Sequence, residues 1–151
     1  MIEIVIHCDG GCRGNGKAEN LGGWGVMLEF GDQKKELRGA ECNTTNQRME
    51  LTACIKALEA VKRTDIPVRV VSDSAYLVNG MNSWTYAWAR NGWMTSLRKP
   101  VLNAELWRRL VDLRSGFRKI EFSQCKGHAG NEGNNRADAL ANQAMDEISQ
   151  K

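Results

Sequence analysis

Apolar and polar positions alternate along "IEIVIHC", and a period of two in a β-rich run predicts a strand. Two more runs of this kind, "GWGVMLEF" and "KKELRGAEC", flank "GDQ", a spacer short enough for a hairpin, so three antiparallel strands are expected to open the fold. The period then changes. In "TTNQRMELTACIKALEAVKR", Glu50, Cys54, Ala57 and Val61 fall on one helical stripe, with Thr44 or Thr45 as N-cap and Gln47 placed to reciprocate for Thr44. A carboxylate that extends an apolar face must be neutralised or paired. Pro67 ends the following loop, and "VRVVSD" reads as a continuous apolar strand buried on both faces, with Asp73 at its carboxyl end. "SAYLVNGMN", "WTYAWAR" and "NAELWRRLVDLRS" have helical patterns, interrupted by the loop "NGWMTSLRKPV". "RKIEFSQC" is the last strand, and a final helix is expected from about Asn131, with Ala137, Leu140 or Ala141, Ala144 and Ile148 on its inner stripe. The order β-β-β-α-β-α-α-α-β-α implies an α/β fold, a five-stranded mixed β-sheet flanked by helices. No repeat or linker divides the chain, so residues 1–151 are expected to form a single domain.

At 42% hydrophobic and 26% charged residues, the composition suits a buried core, and no segment approaches the ~20 apolar residues of a membrane span. Met1 leads directly into the first strand without a charged region and cleavage site, so a soluble, cytoplasmic protein is expected, and its single-domain size without an obvious apolar patch in the sequence favours a monomer. Five cysteines, an odd number without a CxxC pair, argue against a disulfide framework or a zinc site. The net charge of +3 is uneven: Trp84 to His128 contains nine Lys or Arg against three Asp or Glu. A basic lobe on an otherwise acidic body fits a polyanionic partner, and also fits a plain solvated helix face.

Four carboxylates stand at the ends of elements: Asp9 after the first strand, Asp73 after the central one, Glu50 at the head of a helix and Asp138 in the last helix. Ligands of such sheets gather outside the carboxyl ends of strands. Clustered like charges repel and raise one another's pKa, and oxygen-only ligation favours a hard divalent ion such as Mg²⁺. Each acid also has a plain alternative. Asp9 could cap a turn, Asp73 could N-cap "SAYLVNG", Glu50 could pair with Arg48 or Arg136, and Asp138 could be a surface residue. His128, in the Gly-rich "CKGHAGNEGNNRAD", could shuttle a proton near neutral pH, whereas His7 inside the first strand reads as incidental.

The motifs "DGGCRGN", "TTNQRMEL", "SDSAYL", "WTYAWARNGW", "KPVLNAELW" and "KGHAGNEGNNRADALA", in this order, resemble those of type 1 ribonuclease H, the bacterial-type ribonuclease HI family. The resemblance implies an endonuclease that hydrolyses the RNA strand of RNA–DNA hybrids with two Mg²⁺ ions, Mn²⁺ being a possible substitute. The products would carry 5′-phosphate and 3′-hydroxyl ends, and the roles would be removal of RNA primers and R-loops, with or without a recruiting protein partner. It further implies that Asp9, Glu50, Asp73 and Asp138 bind the metal and that His128 assists proton transfer or product release. Asn15, Asn46 and Gln47 would touch the RNA strand near its 2′-hydroxyls, Cys12 would contact the substrate, and Thr45 would hold a DNA phosphate. Trp84 would border the DNA channel within a basic protrusion that includes Arg90, Arg98 and Lys99. Three departures from the bacterial pattern stand out: a longer loop "GNGKAENLGGWG", Ala75 in place of a polar residue, and a protrusion poor in lysine.

Overall fold

Three ten-residue strands, β1 (Ile4–Arg13), β2 (Leu21–Phe30) and β3 (Gln33–Cys42), form the expected antiparallel meander in the computed structural model, which describes residues 2–126 and 131–149. Gly31, at φ +59°, and Asp32 make the tight link between β2 and β3, where glycine meets the positive φ of the turn without strain. Two short strands, β4 (Val68–Ser72) and β5 (Ile120–Gln124), run parallel to β1, and the sheet order is β3-β2-β1-β4-β5.

Helix α1 (Asn46–Ala60) lies between one face of this sheet and α4 (Ala104–Ser115), while α5 (Glu132–Ser149) covers β1, β2 and β3 on the other face. Between β4 and α4 come α2 (Ala75–Asn79), a π-helical turn at Gly80–Trp84 and α3 (Thr85–Arg90). The fold is therefore the expected mixed α/β sheet with helices on it.

Four local expectations are corrected. The first strand does not stop at Cys8 but pairs with β2 as far as Arg13↔Leu21, so Asp9 lies within a strand, opposite Gly25. "DGG" has turn-like composition, but its glycines are strand positions over which a helix passes. Of the two expected candidates, Thr45 is the capping residue of α1, its Oγ1 accepting from the Arg48 N–H at 3.1 Å. Thr44 is instead buried and donates its N–H to Asn20 Oδ1 at 2.7 Å, so Gln47 has no Thr44 cap to reciprocate. Strand β4 is not buried on both faces: Val68, Val70 and Ser72 are buried on the α1 side, whereas on the other Val71 is half-buried and Arg69 is exposed and pairs with Glu3. In α5, Ala137, Leu140, Ala141 and Ala144 are buried as expected, but Met145 completes the stripe and Ile148 is 38% exposed.

Both helices touch the sheet at backbone distance. A Cβ on Gly10 would lie 2.3 Å from the Met49 carbonyl on the α1 side, and one on Gly25 would lie 2.1 Å from the Ala137 oxygen on the α5 side. Along β1, even-numbered residues such as Cys8 and Gly10 face α1, and Asp9 faces α5. Gly25→Ala should therefore destabilise by about 3 kcal/mol, a melting shift of roughly 6–12 °C for a domain of this size. Gly11→Ala, in the same sheet with nothing within 4 Å of its Cβ, should be near neutral. Thermal melting of the two variants distinguishes backbone contact from a general intolerance of strand side chains.

Candidate active site

The contacts at Gly10 and Gly25 bring three elements together around Asp9. Glu50 is in the first turns of α1, beside the Gly10 contact; Asp138 follows Ala137, which sits over Gly25; Asp73 comes directly after β4, parallel to β1. Asp9 and Asp138 share a side-chain hydrogen bond, which requires a proton on one of the two carboxyls. Burial first, then the charge of Asp73 and the bond to Asp138, push the Asp9 carboxyl up to about 8. Glu50 is also raised, chiefly by burial, with Asp73 adding to the shift and a hydrogen bond from Ser74 opposing it. The negative field extends to thiols. Cys8 is raised well above its ordinary value by its hydrogen bond to Cys54, by burial and by Asp9 and Asp73, and Cys125 is raised by burial and Asp73.

The plain alternatives for these acids fail one by one. Arg48 donates to Glu105 at 2.5 Å and to Asn103, and Arg136 is engaged by Glu36, so neither neutralises Glu50. Ser74 caps α2, accepting from the Leu77 N–H at 3.1 Å, which leaves Asp73 free of that task. Asp138 is half-buried against Asp9. Among the described residues, none of the four acids has an ion pair with Lys, Arg or His.

An oxygen-only group of acids without a compensating side-chain cation suits a hard divalent ion. Among the described residues no three such side chains are yet gathered closely enough to enclose an ion. Asp9 is turned to Asp138 and Glu50 to the Ser74 hydroxyl. His128 lies outside the described residues.

Around this centre, Asn15 Oδ1 accepts from the Asn46 N–H at 3.2 Å, tying the loop after β1 to the N-terminus of α1. The Cys12 thiol lies 3.8 Å from the Thr44 carbonyl oxygen. Thr45, Asn46 and Gln47 are exposed on the same helix end. Gln47 and Trp84 border one hollow of about 440 Å³, together with Tyr76, Trp88, Thr95 and Leu102. Trp84 stands over Tyr76 at 6.0 Å between ring centroids, and Trp107 supports both from the core. Arg90, Arg98 and Lys99 are exposed at the end of α3 and on the loop beyond it, which closes on itself through Thr95 N–H to the Lys99 carbonyl at 2.7 Å.

The RNase H family model matches residues 2–146. The chain belongs to the RNase H family. It is 48% identical to the ribonuclease H of Ruthia magnifica subsp. Calyptogena magnifica over 149 residues, 99% of each chain. It is 51% identical to that of Halorhodospira halophila, over 96% of this chain and 94% of the relative. Among solved structures it is similar to LC9-RNase H1, a type 1 RNase H with the type 2 active-site motif, at a TM-score of 0.85 and 32% identity, covering 97% of this chain and 74% of that one. It is also similar to LC11-RNase H1 in complex with RNA/DNA hybrid, at a TM-score of 0.75 and 26% identity, covering 97% and 99%.

Within this RNase H chain, sequence reading missed Ser74. Its hydroxyl donates to Glu50 Oε2 at 2.6 Å while accepting from the Leu77 N–H, so one buried side chain both starts α2 and orients an acid on α1. A serine three residues ahead of Leu77 at the start of a helical run was a usable capping signal; its bond to Glu50 had none. Tyr76 and Trp107 were likewise unmarked, since their place under Trp84 depends on the packing of α4.

The raised Asp9 carboxyl fixes the sign of a pH effect. The folded chain retains a proton that the unfolded chain has already lost, so this stabilising contribution is complete below the ordinary carboxylate range and disappears as pH rises towards about 8. Asp9→Asn has no such proton to lose. In buffer stripped of divalent ions it should melt several degrees above the parent at about pH 9 and close to it at about pH 4. Equal melting at the higher pH would show that Asp9 is not held in a strained, crowded site.

Proposed function

We propose that this chain is an endonuclease that hydrolyses the RNA strand of RNA–DNA hybrids, leaving 5′-phosphate and 3′-hydroxyl ends, with Asp9, Glu50, Asp73 and Asp138 holding two Mg²⁺ ions. The observation that carries this reading is the convergence of four acids that have no cationic partner among the described residues, one of them held protonated by burial and by its acidic neighbours. Such a site is costly unless positive charge arrives with the substrate. Membership of the RNase H family and the likeness to LC11-RNase H1, solved with RNA/DNA hybrid, supply the substrate class. Mn²⁺ fits the same oxygen donors. When bound, such ions neutralise the phosphate and make a water more acidic.

The protein's own groups then divide the remaining work. Ser74 orients Glu50, and His128 moves a proton at the scissile phosphate. Asn15, Asn46 and Gln47 present amides, with Cys12 beside them, to a strand whose 2′-hydroxyl both donates and accepts. Thr45 takes a phosphate of the DNA strand at the exposed N-terminus of α1, where helix-end charge favours anions. Trp84 offers a ring edge to that strand, and Arg90, Arg98 and Lys99 grip its backbone. Among the described residues no helix is long and apolar enough to cross a membrane. A monomeric, single-domain cytoplasmic enzyme removing primers and R-loops, alone or recruited, completes the reading.

Labelled hybrid, duplex DNA, duplex RNA and single strands, each with and without Mg²⁺, test it. Only the RNA of the hybrid should be cut, and only with the ion. Asp73→Asn should lower kcat by orders of magnitude while keeping the fold, since it removes a charge the ion requires. Cleavage of hybrid in EDTA, or of duplex DNA at a comparable rate, would overturn the proposal.

The sparse protrusion leads to a separate expectation. Three phosphate contacts correspond to a slope of log affinity against log salt between about −2 and −3. Reversing Arg90, Arg98 and Lys99 to Glu should flatten that slope and raise KM without lowering kcat. Unchanged hybrid affinity at low salt would make this loop a structural element only.

A further inference from the structure

Helix α5 carries a second inward polar residue, one turn before Asp138. Asn134 is 1% exposed, and among the described residues neither its Oδ1 nor its Nδ2 has a hydrogen-bond partner. An unpaired buried amide is costly, and the other inward residues of this helix, from Ala137 to Met145, are apolar. Its surroundings repeat those of the acids one level lower. His7 precedes Asp9 by two residues on the same face of β1, and Gly133 packs directly on its ring, where a Cβ would lie 2.3 Å from Nδ1. Two strand residues rise about 6.6 Å and four helix residues about 6 Å, so β1 and α5 stay in step: His7 beside Gly133 and Asn134, Asp9 beside Asp138.

The two acids flanking Asp9 are unequally supported. Glu50 has a dedicated donor in Ser74, 2.6 Å away. Asp138 has the Asp9 carboxyl as its side-chain partner and, among the described residues, no N–H donor. Carboxylates that hold an ion are normally oriented by a hydrogen bond from behind. Residues four apart on a helix are neighbours, and helical side chains lean towards the N-terminus, so Asp138 leans towards Asn134.

We propose that Asn134 is the positioning residue of Asp138, its amide N–H donating to that carboxylate once the carboxylate leaves Asp9 to hold a divalent ion. This rests on the reading of the four acids as an ion site. Asn134 thus does for α5 what Ser74 does for α1, with the difference that its bond forms only in the loaded state and its amide stays unpaired until then.

The two states give opposite signs. Leucine has nearly the shape of asparagine and no polar atoms, so Asn134→Leu should melt above the parent when divalent ions are stripped. Calorimetric titration with Mn²⁺ should show about 10- to 100-fold weaker binding by the same variant. Asp138→Asn serves as the control. If Asp138→Asn loses Mn²⁺ affinity while Asn134→Leu binds like the parent, the role of Asn134 is overturned and the ion site stands. If Asp138→Asn also binds like the parent, the ion site fails and the inference with it. Should the leucine variant not fold, Asn134→Ala supplies the same affinity comparison.

Discussion

Two helices press on the same pair of strands from opposite sides, both at backbone distance. Gly10 admits the Met49–Glu50 backbone on one face, and Gly23 and Gly25 admit the Ala141 and Ala137 carbonyls on the other. These glycines pair across the β1–β2 ladder or lie next to residues that do, so the central hairpin is thinned where the helices meet it. Because the spacing is set by main-chain contact, it tolerates little adjustment by rotamer change. Asp9 stands in the middle of this sandwich, and the acids on α1 and α5 are delivered to it by the same contacts that seat their helices.

That arrangement sets a folding problem which the rest of the site addresses without cations. Like charges brought together by rigid elements must either take up protons or be drawn off to neutral donors. Both responses are visible. Asp9 and Asp138 share a proton, and Glu50 turns to the Ser74 hydroxyl. The two arginines that the sequence offered as partners for Glu50 are occupied elsewhere: Arg48 is pinned by Glu105 and Asn103, and Arg136 by Glu36 on β3. Those ion pairs leave the acids without them as counter-ions; exposed pairs of this kind add little stability.

How much of this could be read from the sequence follows from the range of each interaction. Helical period placed Glu50 on the inward stripe with Cys54 and Ala57, both of which are buried, because that signal is local and repeated. Element order and the five-stranded mixed sheet were legible for the same reason. Asp9 was placed after β1 and not within it, since "DGG" has the composition of a turn and only the ten-residue partner strand shows that it is extended. The apolar run around Arg69 reads as a doubly buried strand, but how far the second face of β4 is covered is a property of tertiary packing. Ile148 satisfies the helical period yet is 38% exposed, bordering a surface hollow beside β3, while Met145 packs on Gly23 of β2. Ser74 and Asn134 differ from these. Their importance depends on what lies across the site, which neither spacing nor composition records.

The wall of the hollow beside α1 shows how one irregularity can create an exposed tryptophan. Gly80 sits against the Trp107 ring, where any Cβ would lie 2.0 Å from a ring carbon, so the chain can pass the buried indole only at a glycine. There the helix widens into a π turn, Gly80–Trp84, a wide turn of the kind often found at functional sites. The widened carbonyls are claimed by side chains. Thr85 donates to the Gly80 carbonyl at 2.9 Å, and Arg114 donates to that of Met81 at 2.6 Å while also reaching Thr85. With these contacts made, the turn neither closes back to regular helix nor frays, and Trp84 faces outward at 38% exposure while Trp107 remains fully buried beneath it. The surface-facing ring is thus fixed by a glycine, an arginine and a threonine that do not themselves line the hollow.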